Sequence, residues 1–132
     1  VMADVAASVL SKLKNKAKAT GISYQQCLQL FFQEEFLRKL AGSRYTENFV
    51  LKGGLFIYTL TNFESRATVD IDFLMRGLKN DLESMDQIIA DILTVSTGNE
   101  FVTFQASQTK PIAVQRKYHG ISTQLTCVFR FM

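Results

Sequence analysis

From Asp4 to about Thr20, Val5, Val9, Leu13 and Ala17 recur every fourth residue, and Lys12, Lys14, Lys16 and Lys18 fill much of the remainder. That spacing predicts an amphipathic helix stopped by Gly21, with the lysines on its wet side. Ser23 and Gln26 have capping-box spacing, Ile22 and Cys27 are placed as a hydrophobic staple, and Leu28, Phe31, Phe32, Leu37 and Leu40 continue a second helix that Gly42 can close. Its apolar circumference is broad, which predicts deep packing. Phe49, Val50 and Leu51 form a short apolar run ending at Lys52, after which Gly53-Gly54 leads into Leu55 to Leu60, read as a short helix. Between Arg66 and Met75 the period changes to two: Val69, Ile71 and Phe73 point one way, and Thr68, Asp70 and Asp72 the other.

Beyond that strand, Asn80 or Asp81 can cap a helix carrying Leu82, Met85, Ile89, Ile92 and Leu93, with Gly98 as its terminator. Three β-rich runs follow, at 100–107, 111–118 and 120–131, separated by turns at Thr109-Lys110-Pro111 and His119-Gly120. The expected architecture is α+β: two leading helices over 1–46, then a core over 47–132 with a mixed sheet packed against helices. At 132 residues the chain is read as a single domain able to bury a core. No apolar window approaches a membrane span and no basic leader precedes the first residues, so a cytoplasmic protein is expected. Cys27 and Cys127 sit inside apolar patterns and read as buried thiols, while the lone His119 supports neither a triad nor a metal cage. Phe31, Phe32, Phe36, Phe101 and Phe104 read as core rather than base-stacking platforms.

The formal charge is +3, and it is unevenly spread: every acid lies at or before Glu100, whereas Lys110, Arg116, Lys117 and Arg130 follow it. Such a basic segment suits phosphate or nucleic acid, and equally a solvated strand face.

Asp70 and Asp72 are the residues a strand built only for burial would not carry. Two apart on a strand, they share a face with Cα atoms ~6–7 Å apart, so their carboxylates can converge on one cation. Oxygen-only ligands suit Mg²⁺ or Mn²⁺, which keep coordination for water and for a substrate's phosphates. A Gly-Gly turn opening a helix lets backbone amides approach an anion, and Lys52 and Arg66 lie close enough in sequence to neutralise phosphate charge. Taken singly, Asp-x-Asp also fits a solvated strand end and Gly-Gly a plain turn.

Together, "FVLKGG" followed by "RATVDIDFL" resembles the signature of the AbiEii nucleotidyltransferase family, toxin components of type IV toxin–antitoxin systems within the DNA polymerase β-like superfamily. The likeness extends over the leading helices and to "KYHGISTQL", which resembles a later Tyr-x-Gly strand of that family. It implies a polymerase β-like core in which Gly53 and Gly54 grip the nucleotide phosphates, Asp70 and Asp72 bind metal, and Lys52, Arg66 and Thr68 flank them, Arg66 or Lys52 offsetting transition-state charge. Leu55 departs from the small hydroxyl residue often found after the glycines. The implied reaction moves a nucleoside monophosphate from an NTP to a hydroxyl of RNA, including tRNA, or of protein. A cognate antitoxin and a part in phage resistance are implied too. The family normally adds a third carboxylate from a later strand; here no acid follows Glu100. A truncated chain, a degenerate member that binds nucleotide without turnover, or substitution by Glu64 each account for that, truncation with the fewest assumptions. The runner-up function is a non-catalytic nucleotide- or RNA-binding module of the same fold.

Overall fold

The computed structural model describes residues 2–61, 66–75, 82–112 and 119–130. The element order is α1 (Met2–Thr20), α2 (Tyr24–Ala41), β1 (Phe49–Thr61), β2 (Arg66–Met75), α3 (Leu82–Leu93), β3 (Val102–Ile112) and β4 (His119–Phe129). The four strands form one sheet in the order β1-β2-β4-β3, and its pairings are antiparallel. The α+β class therefore holds, while the sheet is antiparallel where a mixed one was expected. The reason is topological. The connection through α3 carries the chain from β2 to a strand running the same way, and β4 then inserts between the two, so neither has a parallel neighbour.

The leading helices form where the pattern puts them. Gly21 takes φ +76° and donates its amide to Ala17 O at 3.0 Å, a left-handed stop that suits glycine. Ser23 Oγ accepts from the Gln26 amide at 3.1 Å. The buried stripe of α1 is shifted by one residue: Ala6 and Leu10 are buried, Val9 and Leu13 half-buried, and Val5 exposed. On α2 the buried set is Cys27, Leu28, Phe32, Glu35, Phe36, Lys39 and Leu40, leaving Leu30 and Leu37 exposed. The deep packing is thus one-sided. It admits two charged residues because each finds partners in the loop after α3.

That loop is tied down by polar contacts. Glu35 is 2% exposed and accepts from Thr97 Oγ1 at 2.6 Å and Asn99 Nδ2 at 2.8 Å, while Lys39 Nζ donates to Val95 O at 2.7 Å. Gly42 caps α2 with right-handed φ −84°, so conformational freedom is not its purpose. A Cβ there would lie 2.8 Å from Val95 Cγ1, so glycine permits close approach. Helix α3 ends at Leu93, five residues before Gly98, whose φ of +87° turns the loop instead. Candidate caps Asn80 and Asp81 lie outside the described residues.

Three further readings are corrected. Leu55 to Leu60 is strand, not helix: Leu55 and Ile57 are buried and pair with Ile71 and Val69. A six-residue apolar run does not distinguish the two by pattern, and pairing with β2 decides it. Thr109-Lys110-Pro111 is not a turn, because β3 runs through it; Pro111, which has no N–H to donate, is tolerated because β3 is an edge strand. His119-Gly120 opens β4 opposite Met75 and Leu74.

One core joins the layers. Phe36 packs on Phe73 (ring centroids 5.2 Å), and Phe31 and Phe32 pack on Phe129 (5.5 and 5.6 Å), so the phenylalanines are core as expected. Cys27 and Cys127 are buried free thiols, and burial pushes the Cys127 thiol well above its ordinary value. No helix among the described residues is long and apolar enough to cross a membrane. Between α2 and β1, Tyr45 Oη donates to Asp91 Oδ2 (2.8 Å) and Gln87 Nε2 to Asp91 Oδ1 (2.9 Å). The Gln87 bond, then the Tyr45 bond, holds the Asp91 carboxyl below its ordinary value.

Two outcomes are expected. Glu35→Ala leaves the Thr97 and Asn99 donors without their acceptor and should cost about 2 kcal/mol, Glu35→Gln less, in urea unfolding; unchanged midpoints would show that the tie contributes nothing. A depressed Asp91 value stabilises the fold above the unfolded-state pKa, near pH 4, and that support is lost as pH falls through the lower folded value. Asp91→Asn should therefore flatten the acid limb of a melting-temperature profile below about pH 4; parallel profiles would contradict this.

Candidate functional site

Strand β2 is paired on both sides, and its burial alternates without a break from Ala67 to Met75. Ala67, Val69, Ile71, Phe73 and Met75 face the helices and are buried. Arg66, Thr68, Asp70 and Asp72 therefore project together from the opposite, open face, with both aspartates half-buried. Backbone pairing extends this face sideways. Asp70 lies opposite Gln124 of β4, which lies opposite Gln108 of β3; Asp72 lies opposite Ser122, which lies opposite Lys110.

On the other flank the glycines come to the same place, by a different geometry from the one expected. There is no helix for them to open. The β1–β2 register instead steps from Leu51↔Phe73 directly to Leu55↔Ile71, so Lys52, Gly53 and Gly54 all stand against the single position Asp72. A bulge of this size breaks the ladder locally. Backbone amides that leave a ladder can approach an anion, here from a bulge rather than a helix terminus; the Leu55 amide at its end donates to Gln33 Oε1 at 3.3 Å.

Asp70, Gln108, Lys110, Ser122 and Gln124 line an open hollow of about 230 Å³ on this face. Two half-buried carboxylates ~6–7 Å apart at their Cα atoms can share a cation. Among the described residues, the ion pairs Arg38–Glu34 and Arg44–Asp91 lie in the helical layer and its loops, away from this face. The donor set fits a hard divalent ion that keeps part of its shell for water and phosphate. No third His, Cys, Asp or Glu joins the pair among the described residues; the neighbouring strand presents Ser122 and Gln124, and Glu64 lies outside the described residues. Ser122 and Gln124 were not singled out in the sequence, although the alternation of β4 could have placed them on one face. Gln108 and Lys110 were not legible, because the β3–β4 register skips one residue between Ala106 and Gln108 and reverses the phase.

Repulsion between the two acids predicts that Asp72→Asn or Asp70→Asn raises stability in chelator by about 0.5 kcal/mol. Millimolar Mg²⁺ should then stabilise the native chain and not the double variant. Melts with and without the ion check both; a variant less stable in chelator would mean that the protein itself already satisfies the carboxylates.

No curated protein and no solved structure matches the chain. Residues 35–131, from the middle of α2 through β4, match the family described as the nucleotidyl transferase AbiEii toxin of type IV toxin–antitoxin systems. That span includes Lys52, Gly53, Gly54, Arg66, Thr68, Asp70 and Asp72, and on it the chain belongs to the AbiEii nucleotidyltransferase toxin family.

Proposed function

We propose that the chain binds a nucleoside triphosphate with Mg²⁺ or Mn²⁺ and transfers its nucleoside monophosphate to a hydroxyl of RNA, tRNA included, or of protein, as a toxin held in check by a cognate antitoxin. The observation that carries this reading is the placement of the Gly53-Gly54 bulge against Asp72, with Asp70 beside it on the same open face.

In this reading Asp70 and Asp72 hold the metal, which supplies charge neutralisation on the phosphates. The bulge amides take the β- and γ-phosphates, and Lys52 offsets negative charge that grows as the leaving oxygen departs; Arg66, paired with Thr61 and six strand positions or roughly 20 Å from Asp72, would meet another part of the ligand. The acceptor oxygen bonds to the α-phosphorus as the bond to pyrophosphate breaks, with entering and leaving oxygens in line. The chain therefore acts chiefly by positioning and by opposing charge. Thr68, two residues from Asp70 on the same face, orients the nucleotide through its hydroxyl.

A second reading, nucleotide or RNA binding without turnover, has its own support: among the described residues no third carboxylate stands near the pair. The two readings share the binding step and part at proton removal from the acceptor.

Asp70→Asn with Asp72→Asn should abolish metal-dependent NTP binding by calorimetry while circular dichroism stays native. Label transfer from α-³²P-NTPs to total RNA or protein then separates the readings. Metal-dependent labelling lost in the double variant supports transfer, and binding without labelling supports the second reading. Nucleotide binding unaffected by the double substitution would end both.

A further inference from the structure

The hollow beside Asp70 contains a cation that the family signature does not include. Lys110 is exposed on β3, opposite Ser122, which is itself opposite Asp72. Two strand spacings put its Cα about 10 Å from that of Asp72, and its four-carbon stem lets the ammonium swing over the intervening strand. Its presence on this face is a consequence of the irregularity at Ser107. Without that one-residue skip, the phase set by Val102 and Phe104 would turn Gln108 and Lys110 toward the helices. With it, two amides, one hydroxyl and one ammonium line the same hollow as Asp70.

We infer that this hollow is a phosphate subsite in which Lys110 is the charged contact and Ser122, Gln108 and Gln124 supply neutral hydrogen bonds. The inference rests on the nucleotide reading above. The chemistry of the lining supports a tetrahedral oxyanion: a lysine gives a mobile point charge, and hydroxyl and amide groups donate without adding charge. The β1 bulge already occupies the other flank of the carboxylate pair. A ligand gripped from both flanks is held across Asp70 and Asp72, which constrains it far more than one-sided contact. The phosphate is either one of the nucleotide's own or the one adjoining the acceptor hydroxyl of a polynucleotide.

The test uses the whole chain with Mg²⁺ and three probes: inorganic tripolyphosphate, the four NTPs, and a short oligoribonucleotide. Lys110→Gln should weaken at least one probe about tenfold, while Lys110→Arg keeps most of the affinity and circular dichroism is unchanged. Loss on tripolyphosphate and NTPs assigns the subsite to the nucleotide tail. Loss on the oligoribonucleotide alone, with a reduced salt dependence, assigns it to the acceptor. If Lys110→Gln leaves all three probes unchanged while Asp70→Asn with Asp72→Asn abolishes NTP binding, the subsite is wrong and the nucleotide reading survives. Native protein that binds none of the three overturns both.

Discussion

The register of β2 is the constraint on which fold and site both depend. Its odd positions fill the core and its even positions carry two carboxylates, so a slip of one residue against either neighbour would drive Asp70 and Asp72 under the helices. An unpaired carboxylate there would cost several kcal/mol, and two would exceed the net stability of an ordinary small domain. The register is secured from the buried side: Phe73 lies between Phe36 and Phe49, and Val69, Ile71 and Met75 are almost fully enclosed. The packing that holds the fold together therefore also fixes which face the acids occupy.

Around this regular strand, the neighbours are irregular where chemistry is wanted. Besides a second shift in β1 between Ile57 and Thr59, strand β1 brings three residues against Asp72 and β3 skips one residue before Gln108. The last two departures re-aim backbone or side chains toward the open face, and each costs ladder hydrogen bonds that a purely structural sheet would keep. Strand β4 is regular against β2 throughout its length, as suits the strand lying between the aspartates and the hollow.

What the sequence disclosed follows the same division. Strand β2, both leading helices and the Ser23 cap were legible because their periods run unbroken and their terminators are local. The aspartates were legible because they share the polar face of a strict alternation. The bulged strands were not. In β1 two glycines followed by an apolar run fit a turn and helix as well as a bulge and strand, and only pairing with β2 decides between them. In β3 the phase reversal at Ser107 divided one strand into two and hid Lys110 in a supposed turn. Glu35 and Lys39, polar positions on the buried side of α2, depend on partners about sixty residues away that no local pattern reveals.

The open face also has an energetic logic. Two like charges held side by side repel, and Lys52 on β1 and Lys110 on β3 are, among the described residues, the basic positions nearest to offset them. Two carboxylates alone leave most of a magnesium ion's shell to water, so such a site binds the bare ion weakly and the phosphate-loaded ion better, because the nucleotide brings further oxygen ligands. Metal and nucleotide affinities are then coupled, each raising the other by the same factor. On the proposed reading, such a site would hold the ion more tightly with the nucleotide than without it. That behaviour follows from the number of carboxylates, whether or not an acceptor hydroxyl is then attacked.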